Sequence, residues 1–291
     1  MAYDLAEPAL TERRFKSLDG LDLYARDYAA VAPESGLPVV CLHGLTRNSR
    51  DFELVAPRIA SLGRRVIVPD VRGRGLSARD PKAEQYAPAV YVQDLIVLLD
   101  QLAIPRAVFV GTSMGGIVTM LLAAMTKGRI AAAVLNDVGP VLEETGLKRI
   151  AGYVGKAMEF ANWAEAQAAV KAAQSAAFPK AGDAFWARFV RRVCRDLPDG
   201  RVAFDYDEAI ARPFANTAAP DMTPLFEALS VAPVMVVRGA LSDLLSAEGI
   251  DLMRIVKADL MAVEVADVGH APTLEEPEAW NALVDFLAGV P

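Results

Sequence analysis

The chain has 291 residues, 53% of them hydrophobic, and a formal net charge of −7 at pH 7. Such a chain can bury a sizeable core, and its acidic balance argues against nucleic-acid binding, which rests on clustered Lys and Arg meeting phosphates. No apolar run reaches the roughly 18 residues that cross a bilayer, so no membrane partner is expected. The opening MAYDLAEPALTERRFK carries acidic residues and a proline where a secretory signal needs a basic start and an apolar block. A cytoplasmic protein is therefore expected, with Cys41 and Cys194 as reduced thiols. His43 and His270 are the only histidines and neither has a nearby ligand pair, so a metal site has little to be built from.

In chain order, RRFKSLDG and LDLYARDYA read as a hairpin turning at Asp19-Gly20. PVVCLHG, RRVIVPD, RAVFVGT and IAAAVLND follow as short apolar runs bounded by turn residues, the pattern of buried parallel strands. Helical stretches over 51–62, 87–102 and 114–127 separate them, and this alternation predicts an α/β domain with a parallel sheet. The rhythm stops at Asn136-Asp137-Val138-Gly139-Pro140. From there to about Ala228 the chain is alanine-rich and helical, and then APVMVVRGA, LMAVEVAD and the helix PEAWNALVDFLAG resume the pattern. The simplest division is a core of 1–138 and 229–291 with a helical cap over 139–228. The cap holds over half of the aromatics, and Trp163, Trp186 and Phe214 are candidates for lining an apolar pocket beneath it. Arg188, Arg191, Arg192 and Arg195 form a basic stripe, with Phe185, Phe189 and Val193 on another face, as in an ordinary amphipathic helix with solvated charges.

VFVGTSMGGIVTM, residues 108–120, interrupts an apolar run with glycines on both sides of Ser113. A strand running into a helix through Gly-x-Ser-x-Gly makes a tight turn that lifts the serine hydroxyl above the sheet, at the positive end of the helix dipole. A serine nucleophile needs a base, and the base needs an orienting acid. His270 follows the last predicted strand and fits the chain order nucleophile, acid, histidine. His43, with Gly44, instead shapes a loop whose backbone N–H groups face an oxyanion, and Leu45 and Met114 are the candidate donors. Asp243, after the penultimate strand, is the favoured acid and Asp137 the alternative, whereas Asp267 is too close in sequence to His270. Gly73-x-Gly75-x-x-Ala78 imitates a dinucleotide fingerprint, but Pro81 and its neighbours predict a loop rather than the helix that such a motif must open.

Taken together, His43-Gly44, DVRGRGLS at 70–77, GTSMGG at 111–116, Ser242-Asp243 and Gly269-His270 resemble the α/β-hydrolase superfamily over nearly the whole chain outside the cap. The resemblance implies a mostly parallel eight-stranded sheet with a helical cap inserted after the sixth strand. It also implies acyl transfer to Ser113 from a small-molecule ester, thioester or lactone, followed by hydrolysis without a cofactor. A carbon–carbon bond hydrolase of aromatic ring-cleavage products shares fold and triad, but it usually has a glycine-rich loop after His-Gly and an adjacent Trp-Arg in the cap. Here the loop is HGLTRNS and the cap has Trp186-Ala187-Arg188. A non-hydrolytic ligand-binding protein is the reading of another class.

Overall fold

The computed structural model describes residues 7–291 except 32, 34, 157 and 215–219, and for 213 and 214 the backbone alone. The first strands are β1 (Leu10–Lys16), β2 (Asp22–Tyr28), β3 (Val39–Leu42), β4 (Val66–Asp70), β5 (Ala107–Thr112) and β6 (Ile130–Asn136). With β10 (Val234–Gly239) and β11 (Met261–Val265) they form one eight-stranded sheet in the order β1-β2-β4-β3-β5-β6-β10-β11. Only β2 runs against the rest, because β1 and β2 are the hairpin and β2 pairs antiparallel with β4. Every residue of β3, β4 and β5 is buried, which is why these strands read as unbroken apolar runs.

Side chains alternate between the two faces of the sheet. Val39, Cys41, Val108 and Val110 pack with α1 (Val55–Ser61) and α9 (Pro277–Ala288). Val40, Leu42 and Phe109 pack on the other side with α2 (Pro88–Gln101) and α3 (Met114–Met125). α8 (Ala247–Val256) covers Val234 and Val236 on that same side. The helix expected over 51–62 is broken, because Asn48 accepts from the Arg50 N–H and Asp70 from the Ser49 N–H. A 3-10 turn therefore precedes α1.

Between β6 and β10 lie α4 (Glu144–Ala151), β7 (Glu159–Phe160), α5 (Trp163–Gln174), α6 (Asp183–Val193), β8 (Cys194–Asp196), β9 (Val202–Phe204) and α7 (Thr223–Leu229). The insertion is not purely helical: β7, β9 and β8 make a three-stranded antiparallel sheet. Strands of two or three residues are too short to show the alternation that sequence reading depends on. Phe226 and Leu229 of α7 pack with Met120, Leu135 and Val138, so the last helix before β10 sits on α3 and the sheet. Among the described residues no helix is long and apolar enough to cross a membrane. Cys41 in β3 and Cys194 in β8 are buried and free.

The 71–80 segment is a loop, not a helix start. A Cβ at Gly73 would meet the Tyr86 ring at 2.6 Å, and one at Gly75 would run into the Asp70 carboxylate. Its anchor is Arg72, 1% exposed, which bonds Asp19 of the hairpin turn at 2.9 Å, Asp80 at 2.6 Å and Asp94 of α2 at 2.7 Å. These carboxylates push the Arg72 guanidinium above its ordinary range, while Arg72 in turn holds Asp19 far below the usual carboxylate range. Removing one side of a buried ion network strands the other side without solvent. Arg72→Met should therefore cost about 3–5 kcal/mol of unfolding free energy in urea titrations, and a loss under about 1 kcal/mol would show the network to be superfluous.

Candidate active site

The chain runs from β3 to β4 on one side of the sheet and to β5 on the other. Loops leaving the carboxyl ends of β3 and β5 thus face each other across the crevice where ligands bind in open α/β sheets. Ser113 lies at the end of β5 with φ 51° and ψ −113°, a strained conformation for a residue with a side chain. Three glycines make the turn fit. A Cβ at Gly111 would stand 2.5 Å from the Gly115 backbone, one at Gly115 would strike the Leu42 carbonyl oxygen, and one at Gly116 would strike Val138 Cγ1.

Ser113 Oγ lies 2.9 Å from His270 Nε2, and His270 Nδ1 lies 2.7 Å from Asp137 Oδ2. Asp137 is 0% exposed and the His270 side chain 8%. The Nδ1–H donates to the carboxylate, which leaves Nε2 free to accept the serine proton, the orientation a general base requires. Asp137 holds φ 56°, and its remaining oxygen positions take the Gly239 N–H at 2.8 Å and the Ser242 hydroxyl at 2.5 Å.

The sequence expectation for the acid is corrected here: Asp137 is hydrogen-bonded to His270 and Asp243 is not. Both Asp243 oxygens are taken by Arg149 of α4, at 2.6 and 2.8 Å, and that guanidinium holds the carboxyl below its usual range. In Ser242-Asp243 it is the serine that turns toward the histidine's partner. Asn136 fixes the frame, donating to Thr112 Oγ1 at 3.0 Å and to the Pro272 carbonyl, beyond His270, at 2.8 Å.

His43 is fully buried. Its Nε2 accepts from the Val71 N–H at 3.1 Å, so its Nδ1–H donates to the Gly44 carbonyl at 2.8 Å. Burial pulls its pKa down to about 3, so the ring is neutral and bridges the Val71 amide and the Gly44 carbonyl. A Cβ at Gly44 would lie 3.8 Å from Ser113 Cβ, which brings this loop beside the serine. The N–H groups of Leu45 and Met114 have no protein acceptor among the described residues. Arg74, unassigned in the sequence reading, donates to the Leu45 carbonyl at 3.0 Å and to Tyr91 Oη at 3.0 Å, fixing the peptide next to the Leu45 amide.

The pocket candidates fare less well. Trp186 is 1% exposed, edge-on to Phe178, Phe185 and Phe189, in an apolar cluster continuous with the sheet's core. The Trp163 N–H bonds Asp196 and its ring lies under Arg191 at 3.6 Å. The Phe214 side chain lies outside the described residues.

Nor is the arginine stripe simply solvated. Arg192 is buried and reaches from α6 to Glu53 at 2.8 Å and Glu275 at 2.6 Å, tying the inserted segment to the turn before α1 and to the loop after His270. Arg50 and Asp205 make a further crossing at 2.6 Å. A cleft of about 600 Å³ along this seam is lined by Arg50, Arg79, Arg195 and Asp205 among others and does not include Ser113. Sequence periodicity could have flagged Arg192 only through its position one residue nearer the aromatic face.

A serine on a strained strand–helix turn, backed by a histidine and a buried carboxylate, defines a hydrolytic enzyme of the nucleophile-elbow type. The chain belongs to the alpha/beta hydrolase family, whose model matches residues 39–283. It is 35% identical over 267 residues to a 3-hydroxybutyrate-oligomer hydrolase of Cupriavidus necator, covering 88% of this chain and 90% of that protein. It also resembles an esterase of Escherichia coli, at 35% identity over 42% of this chain and 46% of that one. The crystal structure of an alpha/beta hydrolase from Novosphingobium aromaticivorans superposes with a TM-score of 0.89 at 44% identity, covering 96% of this chain and 98% of that one.

The buried His43 gives a pH test. Between about 3, its folded value, and about 6.5, the unfolded chain binds a proton that the folded chain does not, so its contribution to stability falls as pH falls through that window. In urea titrations from pH 6 to 4, wild type should lose about 1.4 kcal/mol per pH unit more than His43→Gln. Parallel pH slopes for the two proteins would overturn this reading.

Proposed function

We propose that this protein is a serine carboxylic ester hydrolase acting through Ser113, His270 and Asp137. The observation that carries the reading is the continuous hydrogen-bonded path from Ser113 Oγ through His270 to Asp137. His270 takes the serine proton as Oγ attacks the ester carbonyl, and then delivers it to the departing alcohol. The Leu45 and Met114 N–H groups receive the negative charge of the tetrahedral intermediate, each worth about 3 kcal/mol. Water, activated by the same histidine, releases the acid from Ser113. Asp137 orients the imidazole and balances its charge while it is protonated.

The substrate class is a short ester of a hydroxy acid. What supports it is the similarity to the 3-hydroxybutyrate-oligomer hydrolase over nearly the full length of both chains. Thioesters and lactones need the same acyl transfer and are secondary substrates in this reading. The core of the enzyme, in this proposal, is 1–138 with 229–291, and the cap over 139–228 covers the site. A cytoplasmic location remains part of the same proposal.

Hydrolysis of p-nitrophenyl esters from acetate to decanoate, alongside a linear 3-hydroxybutyrate dimer, tests it. Ser113→Ala should abolish turnover while leaving the circular dichroism spectrum unchanged, and activity within about tenfold of wild type would remove Ser113 from the mechanism. For the acid, Asp137→Asn should lower kcat by about 10⁴, whereas Asp243→Asn should lower it by less than about tenfold. The reverse order would return the role to Asp243.

A further inference from the structure

Two residues beyond Leu45, Arg47 stands beside the nucleophile. Its N–H donates to the Gly44 carbonyl at 3.2 Å. A Cβ at Gly44 would lie 3.5 Å from Arg47 Cγ and 3.8 Å from Ser113 Cβ, so only a missing side chain separates the two residues. The guanidinium continues toward the cap, where it lies 4.3 Å over the Phe189 ring and donates to Asp51 at 2.8 Å. Phe189 belongs to the same aromatic cluster as Phe178, and the neighbouring Ala177 carbonyl accepts the Gly269 N–H next to His270. The cluster thus spans from Arg47 at one end to the histidine loop at the other.

The Arg47 side chain is only 16% exposed, yet one N–H of its guanidinium fork is used and the other donors have no protein acceptor among the described residues. A guanidinium stays charged at any pH a protein meets and is shaped to hold a carboxylate through two parallel bonds. The remaining donors are not shut off from solvent, so beside the Asp51 contact they are open to an incoming carboxylate without first breaking a protein contact. An anionic substrate approaching a chain of net charge −7 also needs a local cation to offset the overall field.

We propose that Arg47 is a substrate-binding residue that receives a free carboxylate, so that the enzyme selects esters ending in a carboxylate over neutral esters of the same size. This rests on the serine hydrolase reading, because the carboxylate is placed by its distance from the ester held at Ser113. It narrows the substrate class to esters between a carboxylic acid and the hydroxyl of a hydroxy acid whose own carboxyl is free.

The test compares 3-(butyryloxy)butanoate with its methyl ester, in which that charge is masked, and follows the release of butyrate so that cleavage of the methyl ester itself is not counted. Wild type should favour the free acid in kcat/KM. Arg47→Gln should reduce the ratio of free acid to methyl ester by about tenfold or more, chiefly through KM, and Arg47→Lys should restore part of it. A ratio that survives in Arg47→Gln, with both substrates slowed alike, would make Arg47 a support of its loop and overturn the proposal. Equilibrium binding of the free acid to Ser113→Ala, with and without Arg47→Gln, separates this from the mechanism. Weaker binding in the double variant supports the carboxylate site even if wild type cleaves neither ester, and equal binding overturns it even if hydrolysis is fast.

Discussion

The carboxylate of Asp137 is where the parts of this molecule meet. It sits at the tip of β6, fully buried and in the left-handed region, and accepts from the end of β10 through Gly239, from the following loop through Ser242, and from His270. A buried carboxylate is tolerated only when its lone pairs are filled. Filling them aligns two neighbouring strands and one loop to within hydrogen-bond tolerance. The serine needs no separate positioning device, because β5 lies beside β6 and the Ser113 N–H donates to the Asn136 carbonyl at 2.9 Å. The proposed chemistry is in this sense a property of three adjacent strand ends.

The cap is attached in a different way. Its seam with the core is crossed by arginines: Arg192 to Glu53 and Glu275, Arg50 to Asp205, and Arg149 to Asp243. Ion pairs of this kind gain little net stability over apolar packing, but they are specific in geometry and expensive to leave half made. They fix where the cap sits. Arg149 occupies both oxygens of Asp243, while Asp137 is the carboxylate that meets His270.

The sheet and the elbow were legible because their causes are local. Apolar runs of strand length, helical periods between them, and glycines placed where a Cβ has no room can all be read within a dozen residues. The acid was not legible in the same way. Asp137 and Asp243 follow adjacent strands of the sheet, and the partner that holds Asp243, Arg149, lies 94 residues away from it in the chain. The same holds for Arg192, whose partners lie 139 and 83 residues off, and for Trp163, whose apolar face is spent under Arg191. Composition marked the cap as rich in aromatics, but which rings face inward depends on contacts that no periodicity encodes.

Cys41 and Cys194 lie in one apolar cluster but in different sheets. Cys41 lies in β3, just before the His43-Gly44 loop, and Cys194 begins β8 of the small sheet. Burial pushes the Cys194 thiol up to about 12 and Cys41 higher still, so in the closed protein neither presents a thiolate to an alkylating reagent. Each becomes reactive only when its own surroundings open. The chain therefore carries a natural pair of clocks: alkylation at Cys194 times the loosening of the cap, and alkylation at Cys41 times the opening of the sheet. The difference between their rates measures how independently the two parts breathe.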